Sequence, residues 1–120
     1  MLKETYLDNC KNLSNDAYTI LVTRYFDGRR YGSYQENNIK ERCMELSPSK
    51  KLLEKYKKNK ITFKQLEQRY IIEMNNPDAK KEMQRIKELS KTIDVYLVCY
   101  EKDSKQCHRS ILLKLIKNEI

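Results

Sequence analysis

The stretch between residues 99 and 109 gathers the side chains of this chain that are best suited to chemistry. It holds Cys99, Glu101, Cys107, Arg109 and the only histidine, His108. A thiol at a helix N-terminus beside His or Arg ionises below its free pKa of about 8.5 and becomes a nucleophile. Cys107 meets both conditions where a helix begins at residue 107 or 108. His108 can shuttle a proton near neutrality. Glu101 can act as a general base or orient His108. Arg109, together with free helix N–H groups, can hold a phosphate or carboxylate. The same residues also admit a plain structural role. Cys99 continues an apolar run and packs as a small hydrophobe, Glu101 and Arg109 pair with each other, and Cys107 is an ordinary helix-start residue. The spacing does not match the Cys-x5-Arg phosphate loop, because that frame leads from Cys99 to Lys105 and the loop has no Gly.

The four cysteines, Cys10, Cys43, Cys99 and Cys107, contain no Cys-x-x-Cys. A zinc site would have to join Cys99, Cys107 and His108 to the distant Cys10 or Cys43, and no common zinc spacing supports it. No metal or cofactor is therefore expected. The N-terminus carries Glu4 and no apolar signal region, and no run of about 18 apolar residues exists for a membrane span. The expected compartment is the cytoplasm, and the expected state of the thiols is reduced.

Positioning those side chains requires strands and helices, and both are legible. Residues 18–26 are dense in β-branched and aromatic types and read as a strand. Residues 94–100 form a nearly continuous apolar run, which suits a strand buried on both faces of a parallel sheet. Residues 2–7 read as a weaker strand. Helices are announced by Ser47 before Pro48, by Thr62 with Gln65 three residues later, and by Asn76 before Pro77. Phe63, Leu66, Tyr70 and Met74 share one helical face, as do Ala79, Met83, Ile86 and Leu89. Ile111, Leu112, Leu115 and Ile116 mark a last helix. Strands separated by helices predict a single small α/β domain over residues 1–120. Its sheet is short and mainly parallel, with three or four strands, and is flanked by helices. The site segment then lies at the carboxyl end of a central strand, where such folds bind ligands.

Charge adds a second feature. The 120 residues carry 25 Lys and Arg against 17 Asp and Glu, a net charge of +8. Residues 40–64 alone hold nine bases and three acids. That surface is either a solvated lysine face or a footprint for anions such as nucleic acid. The bases are mostly Lys, which argues against bidentate phosphate recognition.

At these residues the chain resembles a known family. Cys99, Tyr100 and Glu101 followed by Cys107, His108 and Arg109 resemble the "CYE…CHR" signature of the domain-of-unknown-function family 488. Leu46 to Ser49 resemble its "LAPS" segment, residues 63–70 its second helix, residues 18–24 its second strand and residues 2–7 its first. The resemblance implies a small α/β domain with a polar pocket around the signature, and it adds Arg24 to Arg109 as an anion-binding candidate. It departs at residues 25–28, where a proline-containing turn is usual. It implies no reaction. The function expected from residues and resemblance together is an enzyme or ligand-binding domain. The ligand would be a nucleotide, a nucleic acid or another phosphorylated molecule, handled by Glu101, Cys107, His108 and Cys99. The alternative is a non-catalytic nucleic-acid-binding module that uses the 40–64 surface.

Overall fold

A computed structural model describes residues 1–103 and 107–119. Four strands form one parallel sheet in the order β1-β4-β2-β3: β1 (Leu2–Tyr6), β2 (Tyr18–Leu21), β3 (Glu41–Arg42) and β4 (Val95–Cys99). The α/β class and the parallel sheet expected from sequence are present. β4 is central because its side chains are apolar on both faces. Val95, Leu97 and Val98 are fully buried, and a strand without a polar face must be covered twice. Its register pairs Leu2 with Val95 on one side and Tyr18 with Val95 on the other.

Helices cover the two faces unequally. On the first face lie α3 (Lys50–Lys57), α4 (Phe63–Glu73), α5 (Pro77–Leu89) and α6 (His108–Ile116). Their buried stripes, including Leu66, Tyr70, Ile86 and Leu112, pack against Ile20, Val22, Val95 and Leu97. Each fully buried aliphatic side chain there contributes about 1.5–3 kcal/mol. On the second face α1 (Leu7–Cys10) and α2 (Gly28–Tyr31) bring Leu7, Cys10 and Tyr31 against Leu21 and Val98.

The local signals fared differently. Thr62 and Gln65 form the reciprocal capping box, and Asn76 accepts from the Ala79 N–H ahead of Pro77. The third helix start lies two residues later than expected. Ser49, not Ser47, accepts from the Leu52 N–H, while Ser47 caps a short 3-10 turn (Met44–Leu46) and donates to the Met44 carbonyl. Pro48 thus precedes the helix rather than opening it. The strand expected over residues 18–26 ends at Leu21 in its paired part. β3 was not legible, because two residues at a sheet edge carry no period.

Candidate active site at the carboxyl ends of β2 and β4

After β2 the chain turns toward the second face, and after β4 it enters α6 on the first. Neighbouring strands that part in opposite directions leave a crevice at their carboxyl ends. A cavity of about 150 Å³ occupies this position. Thr23, Arg24 and Tyr25 line it from the segment after β2, Cys99, Tyr100 and Glu101 from the end of β4 and the turn beyond it, Cys107 and His108 from the start of α6, and Tyr56 and Lys57 from α3.

Cys107 is the residue that caps α6. The structure corrects the expectation of reduced thiols here, for Cys99 and Cys107 are joined as a disulfide. Strand β4 and the start of α6 bring the two residues together, and eight positions of sequence separation gave no sign of it. In this state neither sulfur is a nucleophile. Cys10 and Cys43 are free, buried thiols, each pushed up to about 12 chiefly by burial.

His108 is buried. Its Nε2 lies 2.8 Å from the Val22 carbonyl oxygen, and its ring meets Tyr70 edge-on. A carbonyl only accepts, so Nε2 carries the hydrogen and Nδ1 presents a lone pair. That lone pair faces Cys99 Sγ at 3.9 Å and Cys107 Sγ at 3.8 Å. Burial lowers the imidazole pKa from 6.5 to about 4, and the Arg109 charge pushes the same way against the Val22 bond. The ring is therefore neutral at pH 7.

Arg109 does not line the cavity. Its guanidinium is buried, with Nε 3.3 Å from the Glu4 carboxylate and the other two nitrogens donating to the Glu101 and Lys102 carbonyls. A buried cation must be paired, and this one is spent holding the turn after β4. The partner of Arg109 is the backbone of Glu101, not its carboxylate. Glu101 itself is exposed at the cavity rim. Arg24 is half-buried, and its side chain makes no ion pair or hydrogen bond among the described residues. Its backbone carbonyl is held by Arg42 Nη2 at 2.6 Å.

The residue signals missed Thr23, Tyr25 and Tyr56, while Tyr100 entered only within the family signature and Lys57 only within the basic 40–64 run. Tyr56 read as part of an apolar helix stripe and Lys57 as one of a run of lysines, so neither had a distinguishing mark. Thr23 is buried, and its Oγ1 has no hydrogen-bond partner at normal geometry among the described residues. The Tyr100 hydroxyl donates to the Tyr25 carbonyl. Burial raises the Tyr100 pKa, with the neighbouring Thr23 hydroxyl opposing it.

For metals, the candidate donors are Cys99 Sγ, Cys107 Sγ and His108 Nδ1, all within 4.8 Å of one another. Cys10 and Cys43 do not join them, so the four-ligand set imagined from sequence does not assemble among the described residues. In the disulfide state the sulfurs offer no thiolate to an ion.

The fold and site together define a small open-sheet α/β domain whose cavity, with apolar walls from Pro48, Leu53 and Leu66 beside its polar residues, lies at the strands' carboxyl ends. The family model described as the active DUF488-N3 subclade matches residues 5–120. The chain belongs to the domain-of-unknown-function family 488, as the terminal signature implied. Comparisons with curated proteins and with solved structures found no match. Among the described residues no helix is long and apolar enough to cross a membrane.

Proposed function

We propose that this chain is an enzyme-type domain that binds a phosphorylated, ring-bearing small molecule of the nucleotide class in the cavity between β2 and β4. The observation that carries this reading is the cavity's composition. Arg24 and Lys57 are two cations on different elements, Tyr25 and Tyr56 supply ring faces, and Thr23 Oγ1 is a buried hydroxyl with no hydrogen-bond partner at normal geometry among the described residues. Anions find charge-assisted donors in such a set, bases find stacking surfaces, and the Thr23 hydroxyl supplies the remaining hydrogen bond. Glu101 is the carboxylate able to accept a proton at the rim. His108 holds the β2 and α6 ends in register through Val22.

Calorimetric titration with adenosine and guanosine mono-, di- and triphosphates, with inorganic phosphate as the reference anion, tests it. Saturable binding is expected. Arg24→Ala with Lys57→Ala should weaken it by at least about tenfold, a loss of roughly 1.4 kcal/mol, while the melting temperature is held. Unchanged affinity in that variant, or no saturation with any of these ligands, removes the reading. A second reading, a nucleic-acid surface, is favoured by the exposed lysines 50, 51, 57, 58 and 60 on and beside α3. Its mark is an affinity that falls steeply with salt.

A further inference from the structure

We propose that Cys99 and Cys107 form a reversible dithiol–disulfide couple that exchanges with small-molecule thiols at the cavity wall, with His108 Nδ1 as the hydrogen-bond acceptor for the reduced pair. Both sulfur-bearing residues line the cavity, so a small thiol has a route to them. The decisive feature is the orientation of the imidazole. With Nε2–H committed to Val22, Nδ1 points its lone pair at the two sulfurs. A disulfide sulfur carries no hydrogen, so in the oxidised state this buried acceptor faces no donor among the described residues. Reduction supplies two S–H groups at that spot, the partners the lone pair lacks. The arrangement sets an imidazole acceptor beside both sulfurs, which a purely structural cross-link does not require. Neither remaining cysteine meets an imidazole: Cys43 Sγ lies against the Glu45 and Glu82 carboxylates and Cys10 Sγ against the Tyr6 carbonyl. Cys10 and Cys43 lie elsewhere in the core, with burial holding both thiols protonated.

In the exchange, an incoming thiol that has lost its proton to water attacks one sulfur of the pair as a thiolate. The Cys99–Cys107 bond breaks, a mixed disulfide forms, and the departing cysteine sulfur takes a proton from water and offers its S–H to the His108 Nδ1 lone pair. A second thiol attacks the mixed disulfide and leaves as the small-molecule disulfide. Both cysteines are then thiols, two electrons having passed to the protein. A small-molecule disulfide drives the reverse.

The test uses the full chain equilibrated in mixtures of reduced and oxidised dithiothreitol, acid-quenched, alkylated in denaturant and weighed intact. Two adducts are expected at the oxidised end, for Cys10 and Cys43, and four at the reduced end. The transition should be reversible and fit a two-electron curve. His108→Phe, which removes the acceptor that the reduced pair needs, should shift the midpoint toward more reducing mixtures by about three- to tenfold in the dithiothreitol ratio. If that variant fails to fold, the reversible wild-type titration still decides. Four adducts at every ratio, or two under excess native-state reductant, overturn the proposal. So does zinc retained at one ion per chain by the reduced protein, which would make the three residues a metal centre. The readout counts thiols rather than bound nucleotide, so the couple can fail while the cavity still binds its ligand, and the reverse.

Discussion

His108 and Val22 are 86 residues apart in sequence, and a 2.8 Å contact joins the imidazole Nε2 to the Val22 carbonyl. That bond fixes one tautomer, ties the start of α6 to the end of β2, and aims the other ring nitrogen at the cysteine pair. Together with the buried groups around it, it sets how the protein responds to acid and to substitution.

The buried neutral imidazole makes stability depend on pH. Its pKa is about 4 in the folded protein against 6.5 for a solvated histidine. Between those values the unfolded chain binds the extra proton, so stability is full above pH 6.5 and falls as pH drops toward 4. The slope is about 1.4 kcal/mol per pH unit. Urea unfolding should show a loss of about 2 kcal/mol between pH 7.5 and 5, above the ordinary range of carboxylates. A flat profile over that interval would show that the ring is solvated.

Arg109 is a structural cation by its contacts. Arg109→Met leaves Glu4 without its partner and uncouples the carbonyls of Glu101 and Lys102. The expected cost is about 3–5 kcal/mol, the range for breaking a buried pair by removing one member. Arg24→Ala should cost under about 0.5 kcal/mol, since no ion pair or hydrogen bond of its side chain is lost among the described residues. Chemical denaturation of both variants separates the two roles, and equal losses would contradict the placement.

Tyr70 is fully buried on α4, and its hydroxyl donates to the Leu46 carbonyl. Tyr70→Phe keeps the ring against His108 but leaves that carbonyl without its buried donor. The expected loss is about 1–3 kcal/mol in unfolding free energy. No measurable change would mean that water reaches Leu46.

Ser49 should outweigh Ser47. Its hydroxyl accepts from the Leu52 N–H and donates to Glu73, and its own N–H donates to Glu73 as well. Ser49→Ala should cost about 1 kcal/mol through the lost cap, and Ser47→Ala less. Equal melting shifts would place the helix start where the Ser–Pro pattern first suggests it.

The residues by themselves determined the α/β class, the buried central strand, two of the three cap signals around α3 to α5, and the segment that forms one wall of the cavity. Each of these is a local matter of period, side-chain branching or a hydrogen bond three residues away, so the order of amino acids carries it. The opposite wall was less legible. Arg24 came only through family resemblance, Lys57 only as one base of the 40–64 surface, and Thr23 and Tyr56 not at all, because nothing in a lysine run or an apolar stripe marks the one member that lines the cavity. The chain order likewise did not decide that Arg109 would be buried against Glu4, 105 residues away, or that Cys99 and Cys107 would bond. Those outcomes depend on which strands become neighbours and in what register. Burial then settles the chemistry, since a guanidinium removed from water must be paired and an imidazole removed from water must stay neutral. Only the assembled sheet sets that burial.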